Sequence, residues 1–239
     1  MPGAWLILPT YNEAMNIEPF VRAVLPELAG AAPDHRVLIV DDDSPDGTGR
    51  IADALAGELD AVEVLHRPAK EGLGLAYLAG FRHALAHGAE LLIEMDSDFS
   101  HSPADVGRLI EAAEDADLVL GSRYVPGGGV SDWGLLRRAL SRGGSWYART
   151  ILGVGVRDLT GGFKCFRRET LERLDLESVH AEGYGFQIEL TYRTLRAGMR
   201  VREIPIVFRE RQAGLSKMTA RIALEAVWKV PALRLRDGV

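Results

Sequence analysis

The stretch LLIEMDSD at residues 91–98 decides the fold, because a mainly apolar run leads directly into two carboxylates. A short apolar run bounded by a polar turn is typical of a strand that is buried on both faces of a parallel sheet. In such sheets ligands bind at the carboxyl ends of the strands. The stretch therefore predicts a strand at 91–95 that places Asp96 and Asp98 at a ligand-binding edge.

The same arrangement recurs on both sides of this stretch. Further strands are predicted at 5–8, 37–40, 62–66 and 118–120, and helices at 17–28, 48–56, 75–85 and from Pro103 onward. This alternation predicts an α/β fold with a mostly parallel sheet and helices on both faces. The second half is less regular: we predict helices at 136–152 and 186–197, strands at 162–166 and 201–205, an amphipathic segment at about 217–230, and a mobile loop at 125–132.

Composition narrows the class of protein. A chain of 239 residues forms one large domain or two small ones. Its 47% apolar and 26% charged residues exclude a disordered chain, a collagen and a coiled coil. The net charge of -6 argues against a nucleic-acid partner, and the single cysteine, Cys165, fits a reducing compartment. Because we find neither a signal peptide nor an apolar run of about 18 residues, we expect any membrane contact to be peripheral.

Polar side chains follow four of the predicted strands. They are the segment 11–13, the three aspartates at 41–43, the pair Asp96 and Asp98, and Arg123. Two carboxylates two residues apart suit Mg²⁺, which usually shares its protein ligands with substrate phosphates. A D-x-D pair alone is more often a solvated turn, but its position after an apolar strand, beside a second acidic cluster, favours a metal site.

The acidic turn at 41–48 has turn chemistry at 44–47, and we expect Thr48 to cap the following helix. A turn of this kind needs only one oxygen for capping, so its further carboxylates predict binding of ribose hydroxyls or of the N–H groups of a base. Arg211 and Lys217 flank Gly214, which predicts a lid loop. Together with Arg123, these cations predict a clamp on a pyrophosphate.

These segments resemble the family 2 inverting glycosyltransferases of the GT-A fold, and among them the dolichyl-phosphate (polyprenyl-phosphate) mannosyltransferases. The motifs that carry the resemblance are LPTYNE (8–13), VDDDSPDGT (40–48), GLG (72–74), MDSD (95–98), GSRY (121–124), YGFQIE (184–189) and GLSK (214–217). The resemblance runs from about residue 5 to residue 218. It implies a GT-A (Rossmann-like) domain at 1–218, followed by a C-terminal amphipathic segment at 219–239.

The resemblance further implies transfer of mannose, with inversion, from GDP-mannose to a polyprenyl (dolichyl) phosphate, with Mg²⁺ or Mn²⁺ as cofactor. It assigns the nucleotide to Pro9, Tyr11, Glu13, Asp41, Asp43 and Asp96, and the metal to Asp96, Asp98 and Ser100. It assigns the acceptor phosphate to Arg137, Ser141 and Lys217, and catalysis to Asp98, Arg123, Arg137, Arg211 and Lys217. Ser100 stands where many relatives have Gln, and its hydroxyl oxygen is a weaker, uncharged metal ligand.

The chemistry is consistent with this assignment. A phosphate monoester is largely dianionic at pH 7 and attacks without a dedicated general base. Asp158 and Glu189 are candidates for a base or for contacts with sugar hydroxyls. Two alternatives stay open: a transferase of the same kind that uses UDP-glucose or UDP-N-acetylglucosamine, and a non-catalytic nucleotide-sugar binding subunit. The second is disfavoured because the acidic and cationic residues of the motifs are all present.

A lipid acceptor and a chain without a span predict a peripheral protein at the cytoplasmic face of a membrane. Two segments are candidates for this contact. In the first, Arg138, Arg142 and Arg149 share a helix face among Trp133, Trp146 and Tyr147. The second is the mixed apolar and basic segment at 227–236, which includes Trp228. The alternative is a membrane-embedded partner subunit that docks on the same surface.

Overall fold

Strands and helices alternate in the computed structural model, which describes residues 3–179, 183–210 and 229–235. The strands are β1 (Ala4–Thr10), β2 (His35–Asp41), β3 (Val62–His66), β4 (Leu91–Glu94), β5 (Leu118–Ser122), β6 (Gly129–Val130), β7 (Lys164–Arg167), β8 (Val201–Pro205) and β9 (Val207–Phe208). The helices are α1 (Ile17–Ala31), α2 (Thr48–Glu58), α3 (Leu73–Ala86), α4 (Val106–Ala112), α5 (Leu135–Leu152), α6 (Arg168–Arg173) and α7 (Gly183–Arg196). Short 3₁₀ turns span Pro103–Asp105 and Leu176–Ser178, and residues 229–235 are helical.

The main sheet has seven strands in the order β3-β2-β1-β4-β7-β5-β8. All neighbouring pairs are parallel except those made by β7, which runs antiparallel to both β4 and β5. The prediction of a mostly parallel sheet with flanking helices is therefore confirmed. Because β1, β2, β4 and β5 run in one direction, the polar segments that follow them lie at one edge of the sheet.

Two apolar cores cover the two faces of the sheet. On β1 the side chains alternate, so that Leu6 and Leu8 pack with α1, α2 and α4, whereas Trp5 and Ile7 pack with α3 and α7. Gly80 of α3 lies against β1, and a Cβ there would be 2.5 Å from Cγ2 of Ile7. The close approach of α3 to the sheet therefore depends on glycine at this position.

Three local predictions differ from the structure. The segment predicted as a mobile loop at 125–132 contains β6, which pairs in parallel with β9 and so gains backbone hydrogen bonds. Pro103 opens a 3₁₀ turn, and the α-helix follows it. Thr48 does not cap α2; instead Asp46 Oδ1 accepts the Thr48 N–H at 3.0 Å, since Thr48 already lies inside the helix.

The C-terminal segment is described only at residues 229–235. There Val230 and Leu233 are buried in the core that also contains Leu152 of α5, and Arg234 donates a hydrogen bond to the carbonyl of Ile151. These two apolar side chains therefore face the protein and not a membrane. The predicted boundary at residue 218 and Trp228 lie outside the described residues. Within the described ranges, no helix is long and apolar enough to cross a membrane.

Candidate active site

Two loops at the carboxyl ends of β1 and β2 are joined by hydrogen bonds. Backbone N–H groups of the first loop donate to side chains of the second: Asn12 to Ser44 Oγ (3.1 Å), Glu13 to Thr48 Oγ1 (2.9 Å) and Ala14 to Asp46 Oδ2 (3.1 Å). Asn12 and Asp43 have left-handed φ angles of 57° and 54°, which turn the chain sharply after each strand. The predicted nucleotide residues of both loops therefore lie on one stiff edge.

The three consecutive aspartates have different environments. Asp41 is buried and accepts hydrogen bonds from Thr10 Oγ1 (3.1 Å) and Ser44 Oγ (2.6 Å). Asp42 forms a buried ion pair with Arg67 at 2.5 Å; burial raises the pKa of Asp42, and Arg67 opposes this. Asp43 is exposed. The structure thus separates Asp42 from the two aspartates that the sequence assigned to the nucleotide.

A pocket of about 250 Å³ lies beside this acidic turn. Its lining includes Asp41, Asp43, Ser44 and His66 but not Asp42. The pocket lies at the carboxyl ends of β2 and β3, which is where an open α/β sheet binds ligands. It is large enough for a nucleobase, and its carboxylates are acceptors for N–H or hydroxyl donors.

The remaining predicted nucleotide residues border the same edge. Tyr11 is half-buried, and Lys70 Nζ lies 4.0 Å from the centre of its ring, which is cation–π distance. Glu13 is 8% exposed, and its carboxylate accepts a hydrogen bond from Asn16 Nδ2 at 2.7 Å. Pro9 is half-buried near the end of β1. Lys70 was missed from the sequence because exposed lysines are common on any surface.

The predicted metal motif directly follows β4. Asp96 is half-buried and Asp98 is buried, and one Asp98 oxygen accepts the N–H of Ser100 at 2.9 Å. Ser100 Oγ is buried without a hydrogen-bond partner in the described part of the chain. In that part, no cluster of three or more His, Cys, Asp or Glu side chains is arranged to hold a metal ion. Two carboxylates and a neutral hydroxyl suit Mg²⁺ or Mn²⁺, since such an ion completes its oxygen shell with water and phosphate.

Arg123 follows β5 but is engaged by Asp158. Its Nε and Nη2 donate to the two Asp158 oxygens at 2.7 and 2.6 Å, and both side chains are buried. Burial raises the pKa of Asp158, but the charge and hydrogen bonds of Arg123 outweigh it and lower that pKa below its usual value. Arg123 was expected to face phosphates; in the structure Nε and Nη2 are taken up by Asp158, so a phosphate contact is left to Nη1 or needs this pair to open.

The two candidate bases are both held in ion pairs. Asp158 is bound by Arg123, and Glu189 Oε1 accepts from Arg193 Nη2 one turn further along α7. Arg123 stabilises the ionised form of Asp158, which is therefore a weak proton acceptor. Asp158 was not recognisable as the partner of Arg123, because the two residues are separated by 35 positions in the chain.

The predicted acceptor residues lie along one side of α5. Arg137 pairs with Glu210 at 2.9 Å and lies 4.2 Å from the centre of the Trp133 ring, and Ser141 accepts a hydrogen bond from the Tyr124 hydroxyl at 2.6 Å. Because Tyr124 follows β5, its hydrogen bond to Ser141 joins α5 to the end of that strand. The Tyr124 ring also lies 5.3 Å from the Arg123 guanidinium. Arg211 and Lys217 lie outside the described residues.

Comparison with known proteins identifies the family. Residues 5–175 match the family described as Glycosyl transferase family 2. A protein of Micrococcus luteus named undecaprenyl-phosphate mannosyltransferase is 48% identical over 224 residues, which cover 94% of this chain and 90% of that protein. The polyprenol monophosphomannose synthase of Mycolicibacterium smegmatis is 48% identical over 233 residues, which cover 97% of this chain and 86% of that protein.

Solved structures share the fold. Glucosyl-3-phosphoglycerate synthase from Mycobacterium tuberculosis, in complex with Mn²⁺, UDP-glucose and phosphoglyceric acid, matches with a TM-score of 0.72 and 20% identity, covering 98% of this chain and 80% of that one. At this identity the likeness supports the GT-A fold alone. Since the family match covers residues 5–175 and the sheet is mostly parallel as predicted, this chain belongs to glycosyl transferase family 2.

Proposed function

We propose that this glycosyltransferase moves mannose, with inversion, from GDP-mannose to a polyprenyl phosphate and so makes polyprenyl-phosphate mannose. The observation that carries the proposal is the position of the Asp96–Asp98 pair on the same sheet edge as the pocket of Asp41 and Asp43. Support for the sugar and the lipid comes from the two relatives at 48% identity, whose names specify mannose and a polyprenyl phosphate or polyprenol.

The donor nucleotide is proposed to bind along the ends of β1 and β2. The nucleoside fits the pocket of Asp41 and Asp43, whose carboxylates accept from the ribose hydroxyls or from the N–H groups of guanine. Pro9, Tyr11 and Glu13 border the same edge. Asp96, Asp98 and Ser100 are proposed to hold Mg²⁺ or Mn²⁺, which supplies charge neutralisation for the leaving diphosphate. The Mn²⁺ and UDP-glucose bound by the structural neighbour support a metal of this kind.

The acceptor phosphate is proposed to bind at Arg137 and Ser141, with Arg211 and Lys217 adding charge. The Arg137–Glu210 ion pair is about half exposed, so a phosphate can replace Glu210 at little cost. Because Asp158 and Glu189 are both held in ion pairs, the phosphate dianion itself is proposed as the nucleophile, without a protein base. We propose that Arg123, held by Asp158, shapes the acceptor side of the site and does not contact a substrate phosphate directly.

The outer face of α5 is proposed to contact the membrane that holds the acceptor. Ser145, Ala148 and Leu152 turn towards the protein, whereas Leu135, Leu136, Leu140 and Trp146 are between 67% and 85% exposed. At 100° per residue, these four apolar side chains fall opposite the buried face. Arg138, Arg142 and Arg149 are exposed beside them, as expected for a helix lying in an anionic interface. This contact is the basis for proposing a peripheral location, and the single cysteine, which fits a reducing compartment, supports the cytoplasmic face.

Calorimetry tests the donor. The protein is titrated with GDP-mannose, UDP-glucose and UDP-N-acetylglucosamine, each with and without Mn²⁺. We expect binding of GDP-mannose that needs the metal and is at least tenfold tighter than that of either UDP-sugar. Tighter binding of a UDP-sugar would identify the related glucosyl- or N-acetylglucosaminyltransferase instead.

Transfer of radiolabelled mannose to a short polyprenyl phosphate tests catalysis. Asp98→Asn keeps the shape of the side chain and removes its charge, so transfer is expected to fall by at least 100-fold. Asp115→Asn, the same change at an exposed aspartate beyond α4, is the matched control. Full transfer in excess EDTA would exclude a role for the metal. Donor binding without any turnover would identify a non-catalytic nucleotide-sugar binding subunit.

A further inference from the structure

A lysine is buried in the middle of the sheet, behind the metal motif. Lys164 has no exposed surface, and its Nζ donates to the Gln187 carbonyl of α7 at 2.7 Å. It is the first residue of β7, where it lies directly opposite Glu94 on β4 and Leu120 on β5. Lys164 therefore stands where three elements of the site meet, and none of the roles assigned above includes it.

Lys164 faces buried acids on both sides. Glu94, the last residue of β4, is fully buried and faces the side chain of Gln187 as well as Lys164. Burial lowers the pKa of Lys164 to about 8 and raises that of Glu94 to about 7, and the charges of Glu94 and Asp158 oppose the shift at Lys164. The Lys164 ammonium is thus the counter-charge both for Glu94, at the end of the strand before the metal motif, and for Asp158, which holds Arg123.

Packing alone does not require a lysine at this position. Burying an ammonium is costly, and an apolar side chain of similar volume often stabilises a core as well or better. Glu94 and Lys164 form the last cross-strand pair before β4 ends, and Asp96 lies two residues further on. The side chains of this pair therefore lie directly behind the residues that lead into the motif.

We propose that Lys164 is a positioning residue that fixes Asp96 and Asp98 for metal and diphosphate binding by anchoring the end of β4 and the second turn of α7. The inference rests on the proposed metal site. Without the ammonium, the Gln187 carbonyl keeps the Thr191 hydroxyl as a donor at 3.0 Å but loses its charged donor, and Glu94 is left without a compensating charge. Both changes lie directly behind the motif and release the two aspartates from a single orientation.

Calorimetry with Mn²⁺ in the presence of GDP tests the inference. Lys164→Met removes the charge and donor at similar length, and we expect Mn²⁺ to bind at least tenfold more weakly. A simple change of local charge predicts the opposite sign, because loss of a cation makes the site more attractive to Mn²⁺. Unchanged or tighter Mn²⁺ binding would therefore overturn the inference.

Two further variants separate positioning from folding. Arg167 is a second cation on β7 that donates to backbone carbonyls, but it lies at the strand end away from the motif. We expect Arg167→Met to leave the Mn²⁺ affinity within threefold of the wild-type value. The pair Glu94→Gln with Lys164→Met balances the charge, so the urea midpoint is expected to recover while Mn²⁺ binding stays weak. If the urea midpoint and Mn²⁺ binding both recovered, Lys164 would serve only to balance the charge of Glu94, and the inference would be overturned.

Wild-type protein that binds no Mn²⁺ with GDP, or binding that survives Asp98→Asn, would overturn the proposed metal site and this inference together. Normal, Asp98-dependent binding that Lys164→Met leaves intact would overturn this inference alone.

Discussion

The buried pair of Arg123 and Asp158 gives the sharpest test of how the site is built. Asp158→Asn keeps the shape and one acceptor for the Arg123 N–H but removes the charge that faces a guanidinium only 5% exposed. An uncompensated buried charge costs about 3–5 kcal/mol. For a chain of this length, that loss corresponds to a fall in Tm of about 6–20 °C, at about 2–4 °C for each kcal/mol.

A double-mutant cycle isolates the pair. Asp158→Asn, Arg123→Met and the double variant are unfolded in urea, and we expect a coupling free energy of about 2–3 kcal/mol, at the upper end for residues in contact. The double variant is then more stable than the sum of the single losses predicts, because no unpaired charge remains. Additive losses, with coupling below about 0.5 kcal/mol, would refute the reasoning.

The same variants decide whether Arg123 binds phosphate. If the pair stays closed, both single variants leave the Kd for GDP within about threefold of the wild-type value. If Arg123 instead leaves Asp158 to bind the donor, Asp158→Asn releases the guanidinium and tightens GDP binding, while Arg123→Met weakens it. Changes of opposite sign in the Kd for GDP would show that Arg123 contacts the donor phosphates, as the sequence predicts.

Three further outcomes are expected. Arg137→Ala should raise the KM for a polyprenyl phosphate at least tenfold and leave the Kd for GDP unchanged, and an equal loss of both would remove Arg137 from the acceptor site. In vesicle sedimentation, the protein should bind anionic vesicles less strongly as salt rises, and Leu136→Ser with Trp146→Ser should weaken binding, whereas Met15→Ser, an equally exposed apolar side chain elsewhere, should not. Failure of the pure protein to bind at any lipid charge would favour a membrane-embedded partner. Arg123 lowers the pKa of Asp158 on folding, so the stabilisation from this carboxylate is complete above about pH 4 and is lost as pH falls through the folded pKa. The urea midpoint of Asp158→Asn should therefore fall less steeply with acid than that of the wild type. Parallel curves for the two proteins would count against this role of Asp158.

The sheet and its functional edge were predictable because their signals are local. Each buried strand is a short apolar run, and in a parallel sheet every such run ends at the same edge. That rule alone predicts that Asp41 and Asp96 lie at one edge, and the strand pairing confirms it. The reversed direction of β7 was not predictable, since a run such as FKCF (163–166) looks the same in either direction.

The partners of the charged residues were not predictable, because no local pattern encodes them. Arg67 reaches Asp42 across 25 positions of the chain, and Arg123 reaches Asp158 across 35. In a sequence each of these charges has the same appearance as a ligand for a phosphate or a metal. Only the fold shows which of them are already neutralised by another side chain.

Burial therefore divides the charges of this edge into two groups. Asp42, Arg123 and Asp158 are buried and paired, and replacing one of them leaves an unpaired charge in the interior, so stability should fall first. Arg137 and Glu210 form an exposed pair, whose exchange for a substrate phosphate costs little, so acceptor affinity should change first and stability hardly at all. A charged residue at this edge is thus better assigned by the burial of its partner than by the motif in which it lies.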